Sequence, residues 1–238
     1  IKTPHIDKLA KNGLSLTQHY SGAPVCGPAR CVLMTGKHLA HAEIRGNKEV
    51  RPDGQWPLSA EAVTIAEVLK KAGYATGAFG KWGLGTPKST GSPNKQGFDR
   101  FYGYNCQRVA HSYYPPYMVS DEKRVTINKN PIPGHKRQAK GKVKADTYRD
   151  ENYAPDLILE ESLKFIDKNK DKPFFLYLPF VEPHVAIQPP QKWINKYPKS
   201  WDKKPYRGYA GYLPHPRPRA GYAAMISDLD EHVGSVVA

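Results

Sequence analysis

An amphipathic helix followed at once by an apolar strand is the feature that most constrains the fold of this chain. The clearest case is a helix predicted at 156–169, whose lysine-rich end and Pro173 lead into a strand predicted at 174–181. The stretch from Phe174 to Phe180 is almost unbroken in apolar side chains, which is typical of a central strand covered on both faces. Such units predict an α/β fold with a mostly parallel sheet flanked by helices.

The same pattern occurs earlier in the chain. A helix predicted at 3–13 is followed by a strand predicted at 14–20, in which apolar and polar residues alternate. A second helix is expected to start after Ser59 as its N-cap and to end at Gly73, and a strand predicted at 74–79 follows directly. No segment recurs at a period of about 20 to 50 residues, so a repeat protein is excluded.

The length of 238 residues suits one large α/β domain or two small ones. The chain begins at Ile1 rather than methionine, and apolar residues from Tyr222 to Val236 predict a helix that continues to the last residues without a capping signal. We therefore expect residues 1–238 to be an internal piece of a longer domain, truncated at both ends. No apolar run approaches the ~20 residues of a membrane-spanning helix, so no membrane span is predicted.

Much of the net charge of +14 lies in two basic stretches, 122–144 and 191–219. The first is predicted to be a hairpin plus a loop, and the second, which has no regular period, a long ordered loop. Basic stretches occur on nucleic-acid-binding surfaces, near sites for anionic substrates, and on solvated surfaces without a partner. Neither stretch carries a zinc-knuckle, homeodomain or RNA-recognition signature, so we expect no nucleic-acid partner.

Several polar residues stand where a shared site is expected. Cys26 comes at the start of a predicted helix that contains Pro28 and Arg30, while Lys81 and His184 follow the ends of two predicted strands. Ligands of open α/β sheets bind beyond the carboxyl ends of the strands. Each of these residues alone is ordinary, but together they favour one site.

The three cysteines are too few for a disulfide scaffold and lack the spacing of a zinc site. Cys31 and Cys106 are expected to be ordinary buried thiols. Three interpretations of Cys26 follow from its position alone: a buried structural thiol, a reactive nucleophile, or a cysteine that another enzyme modifies.

Two sequence signatures indicate which of these interpretations of Cys26 applies. The stretch "CGPARCVLMTG" supplies Cys26, Pro28, Arg30, Leu33, Thr35 and Gly36, and "GYATGAFGKWGLG" supplies Gly73, Tyr74, Thr76, Gly80, Lys81, Trp82, Leu84 and Gly85. Together with "KPFFLYLPFVEPH", which delivers His184, they resemble the sulfatase family of the alkaline phosphatase superfamily. The resemblance spans nearly the whole chain, and it implies that residues 1–238 are a fragment of a sulfatase catalytic domain.

The resemblance implies hydrolysis of sulfate esters, in particular those of a sulfated carbohydrate. In sulfatases a maturation enzyme oxidises the cysteine to formylglycine, which hydrates to a diol. One hydroxyl attacks sulfur, and the other later loses its proton and expels sulfate as the aldehyde forms again. The resemblance also implies calcium as the metal, the maturation enzyme as a partner, and export to the periplasm, the extracellular space or the lysosome.

The same resemblance implies a role for each site residue. Cys26, as formylglycine, is the nucleophile and a calcium ligand, and Arg30 holds the diol. Lys81 bridges the nucleophile and a sulfate oxygen, where it stabilises the charge that develops. His184 contacts the sulfate and the leaving oxygen and is a candidate general acid.

The sequence departs from the family pattern in three respects. Gly83 stands where the family has a histidine that contacts the formylglycine hydroxyl, and Ala29 replaces a serine of the maturation motif. The family's paired aspartates, its Asp-Asn-Gly motif and a second lysine are expected outside residues 1–238, so the chain alone is expected to be inactive. Because glycine would open space beside the nucleophile, we predict that His111 takes over the missing role, with His38 and His41 as weaker candidates.

Two enzymatic or binding alternatives remain at this point. A phosphodiesterase or phosphonate hydrolase of the same superfamily would use the same nucleophile on a phosphorus centre. An inactive relative that only binds sulfated glycans would fit Gly83 and the basic loops. Assays of sulfate and phosphate esters side by side separate these possibilities from a sulfatase.

Overall fold

A five-stranded sheet forms the centre of the molecule in the computed structural model, which describes residues 1–52, 54–129, 145–208 and 212–238. A separate two-stranded ribbon precedes it. In chain order the strands are β1 (Glu49–Val50), β2 (Gly54–Gln55), β3 (Ala75–Lys81), β4 (Arg100–Tyr104), β5 (Tyr117–Ser120), β6 (Lys123–Thr126) and β7 (Phe174–Tyr177).

The strands of the large sheet lie in the order β6-β5-β4-β3-β7. Strand β3 is central and pairs in parallel with both β4 and β7. The pairings of β4 with β5 and of β5 with β6 are antiparallel. The α/β class is therefore confirmed, but the sheet is mixed rather than mostly parallel. One cause is the hairpin of β5 and β6, whose short turn makes these two strands antiparallel at one edge of the sheet. Of the first basic stretch, predicted at 122–144 as a hairpin plus a loop, only β6 lies in this hairpin.

Six α-helices accompany these strands in the described part of the chain. They are α1 (Pro4–Asn12), α2 (Cys26–Thr35), α3 (Ile65–Lys71), α4 (Ala154–Asn169), α5 (Gln191–Ile194) and α6 (Pro218–Val237). The helices predicted at 3–13 and 156–169 are confirmed as α1 and α4, and the C-terminal helix is α6. None of the helices in the described ranges has both the length and the apolar character needed to cross a membrane.

The strand predicted at 74–79 forms as β3 but continues to Lys81, and other predicted elements differ more. No strand forms at 14–20, where Leu14 is 83% and Leu16 62% exposed. A segment with alternating apolar and polar residues forms a strand only where a neighbouring strand offers hydrogen bonds. No strand among the described residues does so for 14–20. Strand β7 ends at Tyr177 rather than at 181, although the chain stays beside β3, since the Lys81 N–H donates to the Pro179 carbonyl at 3.0 Å.

The N-cap of helix α3 is Thr64, five residues later than the predicted N-cap, Ser59. The Thr64 hydroxyl accepts from the Glu67 N–H at 3.2 Å, and the Glu67 carboxylate accepts from the Thr64 N–H at 2.8 Å. This reciprocal capping box satisfies two backbone donors at once. The Ser59 N–H is instead bound by the Glu43 carboxylate. The stronger cap therefore sets the helix start.

Both faces of β3 are covered, which makes it the strand best suited to hold a side chain rigidly. Phe79 faces α4 and packs on Phe165, with ring centroids 5.5 Å apart. Ala78 faces the opposite layer, where Trp82 packs edge-on against Phe98 at 5.7 Å. Because successive side chains of a strand point to opposite faces, β3 joins the two apolar layers and ends at Lys81.

The second basic stretch, predicted as a long ordered loop at 191–219, is mostly irregular but contains α5 and a 3-10 turn at Lys199–Trp201. Residues 209–211 of it, and residues 130–144 of the first basic stretch, lie outside the described residues. Tyr206 and His215 form an antiparallel bridge across the loop, and the Nδ1 of His215 accepts from the Arg217 N–H at 3.0 Å. Burial lowers the pKa of His215 to about 4.

We expect acidification to destabilise the protein through His215. The unfolded chain protonates this side chain near its ordinary pKa of about 6.5, whereas the folded chain holds it neutral down to about 4. The stability it contributes is present above pH 6.5 and is lost as the pH falls toward 4. Between pH 7 and pH 5 the loss is about 2 kcal/mol in the free energy of unfolding. His215→Asn keeps an acceptor for the Arg217 N–H. In urea denaturation, its free energy of unfolding should change between pH 7 and pH 5 by that much less than the wild type's. An equal change in both proteins would contradict this prediction.

Candidate active site

Cys26 is the first residue of α2, and its thiol is half-buried. The residue before it is extended and provides no side-chain cap. In the first turn, the Gly27 N–H donates to the Asn47 Oδ1 at 2.9 Å and the Ala29 N–H donates to the Val25 carbonyl at 3.0 Å. Pro28 fits this turn because it lacks an N–H that would have no helical partner. Cys31 and Cys106 are fully buried, as predicted. Cys26 is therefore the accessible one of the three thiols.

Lys81, at the carboxyl end of β3, faces Cys26. Its Nζ donates to the Cys26 Sγ at 3.5 Å, and the side chain is only 2% exposed. Burial lowers the pKa of Lys81; the neighbouring Cys26 opposes this shift, and the charge of Arg30 adds to it. A buried ammonium group beside a half-buried thiol favours an anion at the same place, because the anion compensates the buried positive charge.

Arg30 lies one turn inside α2 and reaches the ends of two strands. Its Nη1 donates to the backbone carbonyl of Lys81 and to the Tyr177 hydroxyl, the latter at 3.4 Å. Its buried Nε has no hydrogen-bond partner among the described residues. The guanidinium therefore fastens the helix to β3 and β7 and adds a second positive charge to the site.

His184 lies in the segment after β7. Its backbone is held at both ends, since its N–H donates to the Val181 carbonyl at 2.9 Å and its carbonyl accepts from the Tyr113 hydroxyl at 2.7 Å. The Nδ1 contacts the Val185 carbonyl, which can only accept, so Nδ1 carries the proton and Nε2 has a free lone pair. Burial lowers the pKa of His184, and the charges of Lys81 and Arg30 lower it further.

His111 lies directly against His184. The two imidazole rings stack with centroids 5.1 Å apart and planes inclined by 11°. Tyr212 packs on both rings, at 5.4 Å from His111 and 6.4 Å from His184. The structure thus brings the two histidines together, with aromatic contacts that fix the His111 ring. In contrast, His38 is exposed and its Nδ1 accepts from the Ala40 N–H at 3.2 Å.

Gly83 does not leave an open space, contrary to the prediction from sequence. Its φ is +78°, a left-handed conformation that favours glycine, and a Cβ there would lie 2.7 Å from both Oε1 and Nε2 of Gln107. Gln107 is buried, and neither polar atom of its amide has a hydrogen-bond partner among the described residues. No sequence signal identified Gln107, because its place in the site depends on the path of the loop after β4.

A second group of titratable side chains lies near this site and was not predicted. Glu182, Asp228 and His232 are buried, and they offer one ligand atom each within 4.8 Å of one another. Cys26 is not among them. The described residues therefore provide no set of carboxylates around Cys26 that would match the about six to eight oxygen ligands of calcium.

The mixed sheet, with a half-buried thiol at a helix N-terminus and a buried lysine at the end of the central strand, has the architecture of the alkaline phosphatase superfamily. The family model described as Sulfatase matches residues 1–238. The chain therefore belongs to the sulfatase family, and the resemblance found in the sequence is confirmed.

Individual relatives agree with this assignment. Arylsulfatase J of Mus musculus is 29% identical over 246 residues, covering 99% of this chain and 35% of the relative. An arylsulfatase of Hemicentrotus pulcherrimus is 32% identical over 198 residues, covering 76% of this chain and 33% of the relative. The crystal structure of Ps i-CgsB in complex with k-i-k-neocarrahexaose is 27% identical with a TM-score of 0.73, covering 99% of this chain and 48% of that one. The chain thus spans about a third of the length of these curated relatives.

Proposed function

We propose that this chain carries the nucleophile, two charge-stabilising cations and two active-site histidines of an enzyme that hydrolyses sulfate esters. The observation that supports this most directly is the contact of the Lys81 ammonium group with the Cys26 thiol, 3.5 Å apart at a helix N-terminus. In a member of the sulfatase family this pair stands where the nucleophile and a sulfate oxygen would meet.

The positive groups of the site match the charge of the substrate. A sulfate ester is an anion, and attack on its sulfur increases the negative charge on the oxygens that do not leave. Before the substrate arrives, Arg30 is held by the Lys81 backbone carbonyl and Lys81 is held by the Cys26 thiol. Preorganised donors of this kind stabilise a transition state without having to reorganise. The positive end of the α2 helix dipole, at the helix N-terminus that carries Cys26, adds to the attraction.

Cys26 is suited to conversion into formylglycine, which when hydrated would supply the attacking oxygen. The residue is half-buried and open on one side, whereas the other two cysteines are closed off. Conversion requires a maturation enzyme as a partner, which is part of this proposal. Calcium, with Cys26 as one ligand, also belongs to it by resemblance. The described residues alone supply too few oxygen ligands near Cys26 to hold this ion.

His184 and His111 are proposed to act on the leaving-group side. The Nε2 of His184 has its lone pair free, so it would bind a proton and pass it to the oxygen that leaves. His111, stacked on His184, is proposed to contact the sulfate in place of the histidine that Gly83 lacks. Burial lowers the pKa of His184, and the charges of Lys81 and Arg30 lower it further; a bound anionic substrate would offset those two charges and favour protonation of the ring.

A sulfated carbohydrate is the proposed substrate class, which accounts for the net charge of +14. One solved structure to which this chain is similar is Ps i-CgsB in complex with k-i-k-neocarrahexaose, and this complex supports the choice. Export from the cytoplasm is proposed with it, by resemblance to the family.

The decisive experiment is to express the protein with and without a formylglycine-generating enzyme. We expect peptide mass spectrometry to show an aldehyde in place of the Cys26 thiol only with that enzyme, and turnover of a sulfate ester to rise with the converted fraction. Cys31 in the same peptide region is the internal control and should remain alkylatable. Full alkylation of Cys26 under both conditions, or a preference for phosphate over sulfate esters, would overturn the proposal.

A further inference from the structure

Glu182, Asp228 and His232 form a buried cluster whose exposed fractions are 6%, 1% and 3%. Glu182 lies in the segment that carries His184, and the other two residues project from α6. Each has one polar atom without a hydrogen-bond partner in the described structure: Oε1 of Glu182, Oδ2 of Asp228 and Nδ1 of His232. Buried polar atoms are nearly always paired, so three of them together indicate a missing ligand.

The remaining polar atom of each carboxylate is already held by a donor. Oε2 of Glu182 accepts from the Val181 N–H at 3.1 Å, and Oδ1 of Asp228 accepts from the Trp193 indole at 2.7 Å. These contacts fix both carboxylates so that their free oxygens face the cluster. Such outer contacts, which orient the ligands, are typical of protein metal sites.

His232 is oriented in the same way. Its Nε2 lies 3.2 Å from the Oδ1 of Asp156, a carboxylate that accepts the ring N–H. This leaves the lone pair on Nδ1, which lies 3.8 Å from the Oε1 of Glu182. That separation is too long for a direct hydrogen bond. It matches two ligands that share an ion at about 2.0–2.2 Å from each.

We propose that Glu182, Asp228 and His232 bind a divalent first-row transition-metal ion, of which Zn²⁺ is the probe of choice. Two ionised carboxylates and one neutral imidazole balance a double positive charge, which suits a buried position. The nitrogen ligand selects against Ca²⁺ and Mg²⁺, which prefer oxygen. The site would tie α6 to the segment bearing His184, and the Asp156 side chain, largely exposed, marks the side from which an ion can enter.

The test measures zinc retention by the full-length protein in millimolar Ca²⁺, which saturates oxygen-ligand sites. We expect one equivalent of Zn²⁺ after desalting, by elemental mass spectrometry. His232→Gln keeps an N–H for Asp156 and Asp228→Asn keeps an acceptor for Trp193, but each removes a ligand. Because changes in outer contacts alone typically cost about 10–100-fold in affinity, we expect a loss of at least tenfold in each variant. His215→Asn, also at a buried histidine, is the matched control and should retain zinc.

X-ray absorption at the zinc edge of the wild-type protein gives a result that needs no variant to fold. We expect nitrogen and oxygen ligands at about 2.0–2.1 Å and no sulfur at about 2.3 Å. A sulfur ligand would assign the ion to Cys26 instead and would overturn the proposal. Equal retention by wild type and both cluster variants would also overturn it, as would the absence of bound zinc in the wild-type protein.

Discussion

Lys81→Met is expected to lower the turnover of a sulfate ester by about 10²–10³, the usual loss when one preorganised charge-stabilising group is removed. Methionine fills nearly the same volume at the end of β3, so the apolar surroundings are kept while the ammonium group beside Cys26 is lost. Steady-state kinetics should show the loss in kcat more than in KM, because the charge that Lys81 compensates is greatest during attack on sulfur.

The control for Lys81→Met is Lys95→Met. Lys95 is exposed and its Nζ donates to the Lys88 carbonyl, so this variant removes the same formal charge far from Cys26. Its turnover should match the wild type. Mass spectrometry of both variants must show the same conversion of Cys26. With conversion equal, a loss below about threefold in Lys81→Met would remove this lysine from the proposed mechanism, given the usual 10²–10³.

His184→Asn is expected to lower the turnover of a sugar sulfate by about 10² or more, the range for a lost general acid. Asparagine keeps an N–H for the Val185 carbonyl and removes only the Nε2 position. The loss should be smaller with an aryl sulfate whose leaving group is already a weak base, because that group needs no proton. The pH profile of kcat/KM is the second readout. Burial lowers the pKa of His184 below its ordinary value of 6.5. If the step needs protonated His184, kcat/KM should therefore already begin to fall below pH 6.5 and continue to fall as the pH rises.

Two further variants make this result specific. His38→Asn replaces an exposed histidine and keeps an acceptor for the Ala40 N–H, so it should leave turnover and the pH profile unchanged. His111→Ala tests the proposed contact with the sulfate and should raise KM as well as lower kcat. Equal losses of His184→Asn with sugar and aryl sulfates would contradict a general-acid role, and unchanged kinetics of His111→Ala would remove His111 from the site.

Local sequence patterns predicted helices and strands correctly where no second pattern nearby competed with the first. The helix from Ala154 and the strand from Phe174 follow from an amphipathic face, a lysine-rich end and an apolar run. The start of α3 was wrong because the capping box at Thr64 competes with Ser59, and only the tertiary contact of Ser59 with Glu43 shows which one wins. The segment 14–20 was wrong because alternation says nothing of whether a neighbouring strand exists.

The site was predictable to the extent that motifs fix positions near strand ends and helix starts. Lys81 contacts Cys26, Arg30 contacts the Lys81 carbonyl, and His184 stacks on His111. That these residues form one shared site, and their catalytic roles in it, stay predictions. Residues that depend on loop paths had no such signal. Gln107, which fills the space beside Gly83, is one such residue. The metal-site cluster is another case, because Glu182 lies at least 46 positions before Asp228 and His232, which share helix α6.

Arg30 donates to the main-chain carbonyl of Lys81, the residue whose ammonium group faces Cys26. A substitution at Arg30 therefore also releases the backbone that aims Lys81. In a double-mutant cycle the effects of Arg30→Ala and Lys81→Met will not add, because residues that share contacts show interaction energies of about 0.5–3 kcal/mol. The two cations behave as one unit, and kinetic losses measured at either position belong to the pair.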